Sequence, residues 1–143
     1  MTGMTDTRSY NEKVIDEFRG NNGVMSGTYA DAPLLLLTTV GARSGKERTT
    51  PVLYLADGER FVVFASNGGD ARHPAWYHNL VANGRAVVEV GAERFEAEVT
   101  FTEGAERDEL YARQVAVNPA FGDFQRRTSR TIPVVALSRG IGR

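Results

Sequence analysis

No cysteine occurs among the 143 residues, which removes a disulfide frame, a thiolate zinc site, an iron–sulfur cluster and a thiol nucleophile at once. The same absence fits a reducing compartment. An excess of charge is missing too: 17 Lys and Arg against 18 Asp and Glu leave a formal net charge of −1. General nucleic-acid binding therefore lacks its electrostatic footprint. No run approaches the ~18 apolar residues of a membrane span, and the N-terminal stretch lacks the basic start and apolar core of a signal peptide. A cytoplasmic address without stable membrane insertion is the expectation. The two histidines, His73 and His78, have no acidic residue at helical spacing to complete a metal site. No G-x-S-x-G elbow is present, so a hydrolase triad has no nucleophile in its usual setting.

What is present suits one globular domain, divided as an N-terminal helix and lid segment (1–30) followed by a β-rich domain (31–143). Residues 1–7 are small and polar and predict little order. Ser9 or Asn11 can cap a helix ending at Gly20, with Val14, Ile15 and Phe18 as its apolar stripe. That stripe leaves peripheral contact with a membrane surface open. The turn-rich stretch 20–27 carries Val24 and Met25, which either plug the core edge or cover an apolar substrate.

Strands are expected at 34–40, at 49–56 and 61–66 around the turn signal Asp57-Gly58, and at 85–90 and 94–101 around Gly91. The last of these alternates, with Phe95, Ala97, Val99 and Phe101 on one face and Glu96, Glu98 and Thr100 on the other. Such alternation marks a half-exposed antiparallel strand. Helical spacing covers 73–82, 104–117 and 121–127. Residues 131–137 form a last apolar strand, with Pro133 pointing to an edge or a bulge. Six strands in antiparallel pairs, with helices as insertions, predict a closed or partly closed barrel.

Two loops carry the chemistry. Gly41–Thr50 resembles a phosphate loop but fails as a Walker motif, since only three residues separate its glycines and a strand follows. What survives is a turn bearing Arg43, Lys46 and Arg48, with Ser44 and backbone amides able to bind an anion. In the second loop, Ser66 precedes Gly68-Gly69, whose missing Cβ atoms allow close approach of backbone to a ligand. The helix that follows directs its N-terminus into the same region, and Arg72 adds a fourth cation. Trp76 and Tyr77 are placed beneath that turn, and Asn79 can tie loop to helix. The cluster Arg126, Arg127 and Arg130 reads as a solvated face.

The segments Leu37-Thr38-Thr39-x-Gly-x-Arg-Ser-Gly, Arg48-x-x-Pro51, Ala65-Ser66-x-Gly-Gly, Pro74-x-Trp76-Tyr77-x-Asn79-Leu80 and Arg130-Thr131-Ile132-Pro133-Val134 occur in one order. In this combination the chain resembles the deazaflavin (F-420)-dependent nitroreductases, the Ddn-like class A branch of the actinobacterial flavin/deazaflavin oxidoreductases. The resemblance runs from about residue 34 to 137. It implies an α+β, mainly β fold: a six-stranded antiparallel split β-barrel with short helices, like that of FMN-binding pyridoxamine oxidases. It also implies reduced coenzyme F-420, a deazaflavin with a phospholactyl–oligoglutamate tail, as hydride donor. By position, Arg43, Ser44, Lys46 and Arg48 would hold phosphate and tail. Thr50, Pro51 and Val52 would line the deazaflavin. Ser66, Asn67, Gly68 and Gly69 would supply polar and backbone contacts, with Trp76 and Asn79 supporting that loop.

Hydride transfer by positioning needs no dedicated catalytic acid or base, and Ser66 stands nearest to such a role. Nitroimidazole-activating relatives carry tyrosines in the helix where this chain has Asn118, Phe121 and Phe124. Ala42 stands where some relatives have a further cation. Met25, Phe121 and Phe124 are the expected acceptor contacts, and an apolar wall suits a planar, hydrophobic acceptor such as a quinone or an activated alkene. An FMN-dependent oxidoreductase on the same barrel, a non-catalytic F-420 carrier and a homodimer stay open at this stage.

Overall fold

The computed structural model describes residues 9–139; the expectation for residues 1–7 lies outside them. Six strands close into an antiparallel barrel: β1 (Leu34–Val40), β2 (Glu47–Asp57), β3 (Arg60–Phe64), β4 (Ala86–Val90), β5 (Glu93–Phe101) and β6 (Val134–Arg139), in the order β1-β2-β3-β6-β5-β4. Four α-helices decorate it: α1 (Tyr10–Gly20), α2 (Ala75–Asn83), α3 (Gly104–Val117) and α4 (Ala120–Arg127).

Burial explains which strands are continuously apolar. Leu35, Leu37, Val63, Ala65, Ala86, Val88, Val135 and Leu137 pack inside the barrel with Trp76 and Leu80 of α2. The neighbours that alternate with them face outward but are also covered. Val62, Phe64, Val134 and Ala136 lie under α3 and α4 with Leu110, Tyr111 and Phe121, and Leu34 and Leu36 lie under α1 with Val14, Phe18 and Met25. A strand covered on both faces must be apolar at every position. The outward residues of β5 belong to no core cluster among the described residues, and the strand alternates.

α1 starts in a capping box: Ser9 Oγ accepts from Glu12 N–H at 3.1 Å, and Glu12 Oε1 accepts from Ser9 N–H at 2.8 Å. Its apolar stripe is committed to the barrel wall, so Val14 and Phe18 are not available to a membrane surface. Among the described residues no helix is long and apolar enough to cross a membrane.

The β2–β3 turn falls one residue later than expected: Asp57 pairs with Arg60, which leaves Gly58 and Glu59 as the turn, with Gly58 at φ 59°. Hydrogen bonds from Arg113 and then Arg60 hold the Asp57 carboxyl below the usual carboxylate range and pin the hairpin to α3. Pro133 is neither in an edge strand nor in a bulge. β6 begins one residue later and is paired on both sides, with β3 and β5. Proline has no N–H to give a ladder, and here only its carbonyl is used, accepting from Ala65 N–H at 2.9 Å.

Candidate active site

β2 is longer than β3. Its residues Glu47–Leu53 pair with β1, whereas pairing with β3 begins only at Tyr54. One side of β2 is thus without a strand neighbour over its first half, and a groove of about 860 Å³ opens there. Thr50, Pro51, Val52 and Leu53 line one side, with Ser66, Asn67, Gly68, Arg72 and His73 opposite. Phe64, Phe121, Phe124, Tyr29 and Asn118 make up the remaining, mostly apolar, wall. A second groove, of about 1110 Å³, adjoins it and shares Thr50, Ala75, Trp76 and His78. Gly41, Ala42, Arg43, Ser44, Arg48 and Asn79 line this one, together with the first turn of α1. The two loops singled out in the sequence therefore border one continuous depression.

The cationic loop is built tightly. Gly41 N–H donates to Lys46 O at 2.7 Å, and Ser44 Oγ accepts from Lys46 N–H at 3.1 Å. A Cβ at Gly41 would sit 2.5 Å from that Ser44 oxygen, so a side chain there would turn the hydroxyl away from its bond to Lys46 N–H. Asn79, buried on α2, anchors the loop from below. Its Oδ1 accepts from Ala42 N–H at 2.9 Å, and its Nδ2 donates to Thr39 Oγ1 at 3.0 Å. Asn83 Nδ2 adds a bond to Val40 O at 2.9 Å.

Arg43, Lys46 and Arg48 are exposed, and none has a carboxylate partner among the described residues. Elsewhere arginines are mostly paired, as in Arg19–Glu89 at 2.7 Å and Arg60–Glu106 at 2.9 Å. Three neighbouring, uncompensated cations on a rigid turn favour a multiply charged anion. Arg72 contributes less, since it lies 3.5 Å from Asp70. Lys46 is not part of either groove's lining; its backbone N–H and carbonyl shape the turn.

In the second loop the two glycines differ. Gly68, at φ 64° and lining the groove, has open space where a Cβ would project. Gly69 is buried against α4: a Cβ would meet Phe124 O at 2.9 Å and Arg127 Cβ at 3.0 Å. Its smallness admits a helix, and the residue lines neither groove. Gly69→Ala is expected to destabilise the protein by about 1–3 kcal/mol, combining overpacking with a strained φ. Gly68→Ala should cost less, and thermal melts of the two variants side by side check the ordering.

Of its two expected places Met25 takes the core edge. It is buried with Phe18 and Leu36 under α1 and lines neither groove. Trp76 has a double position, with its side chain in the barrel core and its residue bordering both grooves.

Contrary to the expectation of a solvated face, Arg130 is turned into the protein. Its guanidinium donates to Ser66 O (2.9 Å), Asp70 O (3.0 Å), Ala65 O (3.1 Å) and His73 Nδ1 (3.0 Å). Its own carbonyl accepts from Gln125 Nε2 at 2.7 Å, and Gln125 Oε1 accepts from Arg107 Nη2 at 2.8 Å and Ile132 N–H at 3.1 Å. Five fixed donors on one planar group suit it to gathering loop carbonyls. Nothing in residue spacing announces this, because the partners are some 60 positions away.

Burial, then Arg130, then His78 lower the His73 pKa from its ordinary value of 6.5. A depressed histidine pKa means that the folded state binds fewer protons than the unfolded chain, so stability falls as the pH drops below that ordinary value. Melting temperatures taken at about pH 7.5 and about pH 5.5 should show this fall, and it should shrink in His73→Gln.

The model of the F420H(2)-dependent quinone reductases matches residues 11–139. The chain belongs to this family. An F420H(2)-dependent quinone reductase of Mycobacterium tuberculosis is 44% identical over 128 residues, covering 85% of each chain. A second M. tuberculosis protein of that description is 34% identical over 112 residues, covering 78% of this chain and 94% of its own. Among solved structures, an F420-H2 dependent reductase matches with a TM-score of 0.68 at 34% identity, over 74% of this chain and 94% of that one. A chain described as a domain-swapped dimer matches at 0.69 with 31% identity, over 89% and 95%. A Listeria innocua pyridoxamine 5'-phosphate oxidase-like protein, at 12% identity and 0.54, shares the fold. As a member of the F420H(2)-dependent quinone reductases, the protein is an oxidoreductase, and F-420 is the cofactor of its family.

Proposed function

We propose that this oxidoreductase passes hydride from reduced F-420 to a quinone along the joined grooves. The observation that carries this reading is their polarity: uncompensated Arg43 and Arg48 at one end, and Phe64, Phe121 and Phe124 at the other. A deazaflavin with an anionic tail has the same asymmetry. Arg43, Ser44 and Arg48 would hold phosphate and tail, with Lys46 adding field strength from outside. Thr50, Pro51, Val52, Ser66, Asn67 and Gly68 would receive the ring system. When bound, the reduced cofactor supplies the hydride.

The protein's own part is to bind and orient. Pro51 and Val52 present apolar surface beside the polar Ser66–Gly68 turn. The unpartnered side of β2 offers main-chain groups where a heterocyclic edge can be hydrogen-bonded. Phe121 is locked in place: Tyr111 Oη donates to its carbonyl at 2.6 Å, and its ring meets Phe64 edge-on at 5.8 Å and Phe124 at 5.1 Å. The phenyl rings of Phe64, Phe121 and Phe124 suit a planar quinone, and at these three positions no hydroxyl is available to hydrogen-bond a nitro group.

Stopped-flow mixing of protein-bound reduced F-420 with menadione tests the reading. Cofactor oxidation should accelerate with menadione concentration and respond far less to a nitroimidazole. Oxidation independent of acceptor would identify a carrier instead. A homodimer belongs to the same proposal, supported by the domain-swapped relative, and light scattering in solution checks it.

A further inference from the structure

We propose that His73 is the hydrogen-bond donor to the quinone oxygen that gains charge during reduction, with its tautomer set by Arg130. This role rests on the quinone-reductase reading above. A guanidinium can only donate, so the 3.0 Å contact makes His73 Nδ1 an acceptor and places the ring proton on Nε2. Nε2 has no hydrogen-bond partner among the described residues, while His73 lines the same groove as Phe121 and Phe124. The ring is held from several sides: Tyr77 packs at 4.8 Å and His78 at 5.5 Å between centroids, and Arg130 is itself fixed by three loop carbonyls. The groove that Phe64, Phe121 and Phe124 help to wall thus also contains an oriented ring N–H donor. The lowered pKa of His73 agrees with a neutral ring.

The chemistry closes without a further reductant. A quinone takes up two electrons and two protons on becoming a hydroquinone, equal to the hydride and proton lost in oxidising F420H2. The carbon–hydrogen bond of the donor breaks, the hydride adds to the quinone, and an electron pair moves onto a quinone carbonyl oxygen. His73 Nε2–H hydrogen-bonds that oxygen and keeps its own proton. The second proton is exchanged with water, which reaches the open groove. A preorganised donor aimed at developing charge contributes more in the transition state than in the ground state.

Two measurements test this. Nitrogen-15 NMR of histidine-labelled apo-protein, assigned by the signals lost in His73→Gln, should show His73 protonated at Nε2 and bare at Nδ1 at neutral pH. In steady-state reduction of menadione, His73→Phe should lower kcat about a hundredfold while F-420 affinity stays within about twofold, the scale for losing one oxyanion donor. His73→Gln, whose amide restores a donor near the Nε2 position, should recover a substantial part of kcat. An Nδ1-protonated tautomer, or a His73→Phe enzyme with wild-type kcat, overturns the role of His73 alone. A wild-type protein that binds F420H2 but reduces no quinone overturns the function reading and this role with it.

Discussion

Replacing Arg43 and Arg48 together by alanine is expected to weaken F-420 binding about a hundredfold and to flatten its salt dependence. Each arginine makes a charge-assisted contact worth roughly 1.5 kcal/mol or more to an anion, and 1.4 kcal/mol is a factor of ten in affinity. Both side chains are exposed and neither is held in a salt bridge among the described residues, so both are available to an anion in the unbound protein. The fold should be indifferent, because neither side chain belongs to a core cluster. Fluorescence titration at low and at raised ionic strength reads both effects. Unchanged affinity and an unchanged salt response would remove the tail from this loop.

Trp76→Ala is expected to show the largest loss of stability, about 3–5 kcal/mol, the scale for truncating a buried aromatic. Trp76 is 7% exposed and fills the barrel end with Leu80, Leu35 and Leu37. It also stands where the two grooves meet, so its removal would both open a cavity and loosen the first turn of α2. Urea unfolding should give a lower midpoint at similar slope. A loss below about 1 kcal/mol would mean that α2 does not depend on this plug. The two predictions are complementary: one removes binding without touching the fold, and the other damages the fold at its junction with the site.

How far the residues alone foretold this depends on the range of the interactions involved. β1, β3 and β6 were visible as apolar runs, and β5 as an alternation, because each pattern follows directly from whether one or both faces are covered. The capping box at Ser9 is likewise local. The cationic turn 41–48 was legible from its charges and glycines, and Asn79 as its tie to α2 from position within a helix. Long-range contacts decided the rest. Arg130 bonds to carbonyls at residues 65, 66 and 70, and Gly69 yields to α4; both pairings join segments some 55 to 65 positions apart. Met25 was ambiguous for a different reason, since a flexible apolar side chain in a loop fits a core edge as well as a ligand wall. Lys46 has the right charge in the right turn, but backbone geometry directs which of the three cations borders the groove.

Arg130 also ties down the polar segment 65–73. Carbonyls at a turn lose water when a ligand covers them, and an unpaired buried acceptor is costly. One guanidinium meets three of these carbonyls and a histidine nitrogen, so the loop is already organised before any cofactor arrives. Preorganisation of this kind reduces the ordering cost of binding.

The most direct test of the central claim compares F-420 with its tail-less deazaflavin riboside in wild-type protein and in the Arg43→Ala/Arg48→Ala double variant. The wild type should bind the tailed cofactor at least tenfold more tightly, and that advantage should vanish in the variant, while the riboside binds both proteins alike. Equal affinity of the wild type for both compounds, or an advantage that survives loss of the two arginines, would contradict a tail held on the Gly41–Arg48 turn.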